Sequence, residues 1–75
     1  MSQIEKLIQK LLRAKGDVQL SDLEKVLTSV GYLRTRQRGS HLHFRKDDAP
    51  FITFPTHNGK VRVVYVKEIC KLLGI

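Results

Sequence analysis

Histidine is the residue type in this sequence best suited to acid–base chemistry, because an unperturbed imidazole titrates at about pH 6.5. The chain has three, at His41, His43 and His57. His41 follows Gly39-Ser40, a predicted tight turn, and begins a predicted strand. RNA supplies its own nucleophile, the 2′-hydroxyl, so its cleavage needs only a base, charge stabilisation and alignment. On the residues alone, an exposed structural or phosphate-binding histidine is a slightly better interpretation of His41.

Arginines precede these histidines at regular spacing. Arg34, Arg36 and Arg38 alternate with uncharged residues, so a strand would place three guanidinium groups on one face. Their spacing of about 6.6–7 Å roughly matches that of backbone phosphates, which guanidinium groups bind bidentately. The alternative is a solvated strand face, or an edge protected by charge. The absence of acidic residues between positions 25 and 46 favours phosphate binding. Further candidates for RNA contact are Ser40, His43, Arg45 and Lys60.

A metal or cofactor site is not favoured by the sequence. His41, His43 and His57 could form a zinc site, but it would lack a cysteine, and the nearest carboxylates lie in a predicted turn. There is no glycine-rich phosphate loop, no serine nucleophile motif and no pair of carboxylates in a segment expected to be buried. Phe44 and Phe54 are expected in the core, which leaves few rings for base stacking. We therefore expect neither metal nor cofactor.

Composition indicates a small basic protein. The 75 residues allow one small domain, and fourteen Lys and Arg against seven Asp and Glu give a net charge of +7. Such a charge attracts nucleic acid or an anionic membrane surface, although it also serves solubility alone. Cys70 is the only cysteine, which excludes an internal disulfide and favours a buried thiol. With no membrane-length apolar run and no signal pattern, we expect a cytoplasmic protein without membrane association.

Three apolar stripes with helical spacing predict the elements that flank these residues. The first helix spans about 3–15 after a capping box at Ser2 to Glu5. The second spans about 22–30, with a similar box at Ser21 to Glu24 and Gly31 after its end. The last spans about 65–73, and residues 16–20 form a short link between the first two helices.

The period changes from 3.6 to 2 after Tyr32 and predicts strands. The first contains the three arginines, the second runs from His41 to Arg45, and the third covers Phe51 to Phe54. Asn58-Gly59 is a hairpin turn signal, and residues 60–64 form either a further strand or an extended lead-in to the last helix. The expected fold is α+β, with the element order α-α-β-β-β-α: a two-layer sandwich of three antiparallel strands with helices on one face.

An ordered set of motifs from Leu23 to Leu73, about two-thirds of the chain, resembles the HicA family of prokaryotic toxins. The matching segments are Val30-Gly31-Tyr32, the basic strand, Gly39-Ser40-His41-Leu42-His43-Phe44, Pro55-Thr56-His57-Asn58-Gly59 and Tyr65-Val66-Lys67-Glu68-Ile69. The resemblance implies the fold of double-stranded RNA-binding domains and a ribonuclease that cuts messenger RNA. It assigns the essential histidine to His41, without metal. It also implies a HicB-type antitoxin that covers the site and provides the link to operator DNA.

The resemblance leaves several points open. We expect one HicA-like domain over 1–75, with an extra helix at 1–16 that packs on its own core unit at 21–75. The group that donates the second proton is His57, Lys60 or Lys67. One alternative function is an RNA-binding module that holds structured RNA without cutting it. The other is a DNA-binding or adaptor domain, which the absence of a recognisable DNA-reading helix disfavours.

Overall fold

The computed structural model describes residues 3–75, except for the side chains of residues 36 and 37. Its elements in chain order are α1 Gln3–Leu12, β1 Val18–Gln19, α2 Leu20–Ser29, β2 Leu33–Arg38, β3 His41–Arg45, β4 Ile52–Pro55, β5 Lys60–Val61 and α3 Val63–Leu73. Strands β2, β3 and β4 form an antiparallel sheet with β3 in the centre, and β1 pairs with β5 in a separate two-stranded ribbon. The predicted α+β class and antiparallel three-stranded sheet are confirmed. None of the helices within residues 3–75 has the length and apolarity needed to cross a bilayer.

The core lies between one face of the sheet and the helices. Leu42 and Phe44 alternate with solvent-facing residues along β3, and Phe54 stacks on Phe44 with ring centroids 5.6 Å apart. Leu23 and Val66 reach the same cluster from α2 and α3. Period-2 alternation in β3 and β4 therefore buries one face of the sheet, and no element within residues 3–75 covers the other face.

Helix α1 packs on its own chain, as expected. Leu11 is only 1% exposed within the core cluster, and Leu7 and Ile8 pack against it. Two polar contacts hold the helix from neighbouring elements: Lys10 Nζ lies 2.9 Å from a carboxylate oxygen of Asp22, and Lys67 Nζ donates to the Leu12 carbonyl over 2.8 Å. The helix ends at Leu12 rather than near residue 15.

The predicted capping box of the second helix is wrong. Helix α2 begins two residues earlier, at Leu20, with Gln19 as its N-cap and no side-chain cap. The Leu20 N–H donates to the Gly59 carbonyl over 2.9 Å, so a distant turn provides an acceptor at this helix start. The other box involves Ser2, which lies outside the described residues. At the other end of α2, Gly31 has φ +95°, as expected of a residue just beyond a helix.

Residues 16–20 are organised differently from the prediction, whereas the stretch 60–64, for which the sequence allowed a strand or a lead-in to the last helix, divides between a strand and that helix. Val18 pairs with Val61 and Gln19 with Lys60, so the supposed link contains a short strand. The stretch 60–64 is a strand only at Lys60–Val61, and α3 begins at Val63. The Asn58-Gly59 turn is confirmed, since both residues have positive φ (+53° and +73°) in a two-residue connection of the type I′ kind.

Candidate active site

His41 stands at the start of the central strand, on the open face of the sheet. Its side chain is exposed, whereas its neighbour Leu42 is completely buried. In the antiparallel register it lies opposite Arg38 on one side and Pro55 on the other. Residues paired in this way have Cβ atoms about 4.5–5.5 Å apart, so the Arg38 and His41 side chains leave the sheet from neighbouring positions on the same face.

The Gly39-Ser40 turn fixes where β3 starts. Gly39 has φ +58°, a conformation that L side chains rarely adopt, and the turn joins Arg38 directly to His41. The Ser40 carbonyl accepts hydrogen bonds from the Thr56 N–H (2.7 Å) and from Thr56 Oγ1 (3.2 Å). The turn that carries His41 is thus tied to the end of β4.

The same open face carries further predicted residues. His43 is half-buried and Arg45 exposed, both on the His41 side of β3. The His43 ring meets Phe51 edge-on, with centroids 6.3 Å apart. Phe51 is 61% exposed, and Leu33, opposite Arg45 on β2, is 67% exposed. Large apolar side chains therefore lie on the open face among its basic groups.

The prediction that the three arginines share one face is wrong for Arg34. Register shifts between Arg34 and Arg36, so that Arg34 pairs with the buried Phe44 while Arg38 pairs with His41. Such a bulge inserts one extra residue, here Thr35, and reverses the alternation. Arg34 lies on the helix side, where its Nη1 is 3.2 Å from Oε1 of Glu24. The backbone of Arg36 pairs with His43, but its side chain lies outside the described residues.

A cleft of about 290 Å³ opens beside the His41 turn. Three predicted residues line it together: Ser40, His57 and Lys60. Sequence reasoning missed three more, namely Asp17, Arg62 and Tyr65. Asp17 directly precedes β1, Arg62 is the N-cap of α3, and Tyr65 lies in the first turn of α3. The pairing of β1 with β5 brings Asp17 to the other two. No local pattern marks that pairing.

The part of the chain that carries this site matches a known family. The family model described as the HicA toxin of bacterial toxin–antitoxin systems matches residues 20–75, which are 56 of the 75 residues. The chain belongs to the HicA toxin family. It is thus a toxin of a toxin–antitoxin system, and the family implies an antitoxin partner. No curated protein and no solved structure matches it.

The HicA match includes His41 and every residue of the cleft except Asp17. It also includes Lys67, which the structure does not bring to His41. Lys67 lies on α3 in the helical layer, where its ammonium group binds the Leu12 carbonyl at the end of α1. Cationic side chains are favoured at the C-terminal ends of helices, so this contact gives Lys67 a structural role in holding α1 against α3.

The ion pairs described in this HicA toxin lie on the helix side of the sheet. The two ion pairs found among the described side chains, Lys10–Asp22 and Arg34–Glu24, both involve α2. Burial raises the pKa of the Cys70 thiol in the core, against a smaller opposing effect of Lys67. Within the described residues, no three His, Cys, Asp or Glu side chains are grouped closely enough to hold a metal ion.

Proposed function

We propose that this HicA toxin is a metal-independent endoribonuclease that cleaves messenger RNA with His41 as general base. The observation that supports this most directly is the exposure of His41 on an uncovered sheet face, opposite Arg38 in the register. A buried imidazole facing the helices would have been incompatible with the proposal. The approach of a polyanion to this face is favoured by the net charge of +7.

The proposed reaction needs two proton transfers and one displacement at phosphorus. The His41 imidazole accepts the proton of the 2′-hydroxyl, and the 2′-oxygen bonds to the adjacent phosphorus as the bond to the 5′-oxygen breaks. Arg38 stabilises the charge that develops on the phosphate oxygens. The leaving 5′-oxygen takes up a proton, for which His57 and Lys60 are the candidate donors because both line the neighbouring cleft. The products carry a 2′,3′-cyclic phosphate and a 5′-hydroxyl.

We further propose that Ser40, His43 and Arg45 help to bind the RNA strand along the open face, and that Arg36, whose side chain lies outside the described residues, also contributes to RNA binding. Arg34 is not included, because Glu24 already engages it on the other side of the sheet. A HicB-type antitoxin would inhibit the toxin by covering this face. Leu33 and Phe51, exposed among the basic residues, supply apolar anchors for such a partner. Contact with DNA would occur only through the toxin–antitoxin complex.

The test is cleavage of a labelled RNA in EDTA by the purified toxin and by His41→Ala. We expect the substitution to reduce the rate by about 10²- to 10⁴-fold, the usual contribution of a general base. The exposed position of His41 predicts an unchanged circular dichroism spectrum. Lys25→Ala, an exposed change on α2, is the control and should retain full activity.

Three outcomes separate the alternatives. Loss of cleavage in His41→Ala, with cyclic phosphate termini in the wild-type products, supports the proposal. Cleavage by His41→Ala in EDTA would refute the role of His41. RNA binding without any cleavage by the wild-type toxin would instead favour a non-catalytic RNA-binding module. In that case Arg38→Ala should weaken binding more than His41→Ala does.

A further inference from the structure

We propose that the cleft beside His41 binds one nucleotide of single-stranded RNA next to the scissile phosphate, and that it prefers guanine. The location next to the scissile phosphate rests on the proposed function, but binding of a nucleotide in the cleft does not require cleavage. The cleft directly adjoins the Gly39-Ser40 turn that precedes His41, because Ser40 lines the cleft and Pro55, which also lines it, pairs with His41.

The cleft contains the three kinds of group that a nucleotide needs. Lys60 and Arg62 supply positive charge for a phosphate, and the Tyr65 ring supplies a surface for a base. Asp17 adds a carboxylate, which accepts hydrogen bonds on both of its oxygens. This combination differs from the open sheet face, where the groups from Arg38 to Arg45 provide no carboxylate.

These groups are not engaged with one another. Within residues 3–75, excluding the side chains of 36 and 37, Asp17 forms no ion pair with Lys60, Arg62 or any other cation. The Tyr65 hydroxyl likewise has no hydrogen-bond partner in that part of the chain. Tyr65 is half-buried, so its ring is held against the core while part of it remains accessible.

The size of the cleft fits a single nucleotide. Its volume of about 290 Å³ lies near the lower end of small-molecule sites, which is roughly 300 Å³. A duplex would have to be recognised by shape across its minor groove, which a cleft of this size does not accommodate. Proteins that recognise RNA sequence bind unstacked bases of single strands, placing them on aromatic rings and reading their edges by hydrogen bonds.

The Asp17 carboxylate determines the expected base preference. Guanine presents two adjacent N–H donors on its Watson–Crick edge, and one carboxylate accepts both. Uracil presents a single N–H between two carbonyl oxygens, which the carboxylate repels. Adenine and cytosine, each with one amino group beside an acceptor, should be intermediate.

Binding is measured in a His41→Ala background, so that no RNA is cut. The probes are fluorescent pentanucleotides UUNUU in which the central base is G, A, C or U. We expect tightest binding for G, and Asp17→Asn should reduce the ratio of G to U affinity by at least about fivefold, the lower limit for one bidentate base contact. Tyr65→Ala should weaken binding of every probe by roughly 5- to 140-fold, the range found for lost base stacking, whereas Tyr65→Phe should not.

Controls and a second measurement keep the result interpretable. Arg13→Ala removes one exposed charge just beyond α1 and should leave the base preference unchanged. If Tyr65→Ala fails to fold, the amide resonances of Thr56, Arg62 and Tyr65 should still shift on addition of UUGUU to the otherwise unchanged protein. Equal affinity for the G and U probes, or shifts confined to the open sheet face, would overturn the proposal.

Failure of the two proposals can be distinguished. Guanine-selective binding in the cleft by a toxin that cuts no RNA would refute the ribonuclease and leave the nucleotide site standing. Cleavage that depends on His41, combined with binding that ignores Asp17→Asn and Tyr65→Ala, would refute the nucleotide site alone.

Discussion

Replacing Arg38 by alanine should reduce both the affinity for RNA and the salt dependence of that affinity. Replacing Arg34 should have only the small effect on either quantity that is expected when one charge far from the bound RNA is lost. Both substitutions remove one positive charge from β2, so they form a matched pair. The register places Arg38 opposite His41 on the open face, whereas Arg34 donates to Glu24 of α2 on the helix side of the sheet. The predicted difference therefore arises from the bulge at Thr35.

The magnitude follows from removing a single interaction between a guanidinium group and a phosphate. One such interaction with a single strand contributes about 0.7 to the slope of log affinity against log salt concentration. Over a fourfold increase in salt, from about 50 to 200 mM, its removal changes the salt effect by about 2.6-fold. The Arg34–Glu24 pair is partly exposed, so Arg34→Ala should cost only about 0–1 kcal/mol of folding free energy.

The assay is fluorescence anisotropy of a labelled single-stranded RNA over a salt series, again in the His41→Ala background. Urea unfolding of each variant confirms that the protein is folded at the assay temperature. An equal fall in slope for Arg34→Ala and Arg38→Ala would refute the assignment of the two arginines to opposite sides of the sheet. An unchanged slope for Arg38→Ala would remove Arg38 from the RNA-binding face.

Three further predictions concern the fold. Phe44→Ala, which removes a fully buried ring stacked on Phe54, should reduce the free energy of unfolding by about 3–5 kcal/mol, measured by urea denaturation. Gly31→Ala should cost about 1–2 kcal/mol in the same measurement, because φ at this position is +95° and the added Cβ would lie 3.2 Å from Cε of Lys46. Since burial raises the pKa of the Cys70 thiol, the reactive thiolate is depleted at any given pH, and iodoacetamide should label Cys70 far more slowly in the folded toxin than in guanidinium, as followed by mass spectrometry.

The helices, the central strands and the exposure of His41 could be predicted because their signals are local. An apolar residue every three or four positions identifies α2 and α3, and strict alternation from His41 to Arg45 identifies which side of β3 is buried. That alternation alone places His41 on the other face of the strand from Leu42 and Phe44. The strongest site prediction therefore rests on the most regular segment of the sequence.

The bulge could not be predicted, because β2 carries polar residues on both of its faces. Register is weakly specified wherever neither face is apolar, and the stretch Arg34 to Arg38 contains no residue that must be buried. Pairing with β3 fixes the register instead. Leu33 pairs with Arg45 and Arg38 pairs with His41, both on the solvent-facing side of β3, and this pairing requires one extra residue in β2 between Leu33 and Arg38. Simple alternation of the arginines was thus insufficient to place them.

The segment before residue 20 shows why the cleft also escaped prediction. It lies outside the family match, yet Leu11 completes the core, the Leu12 carbonyl binds Lys67, and Val18 pairs with the buried Val61. Two-residue strands carry no detectable period, so only the folded chain brings Asp17 to the cleft. The ribbon that begins one residue after Asp17 also contains Lys60, and the same segment therefore supports the stability of the fold and the shape of the cleft. On the nucleotide proposal, base preference in this toxin depends on Asp17, a residue that lies outside the part of the chain matched by the HicA family model.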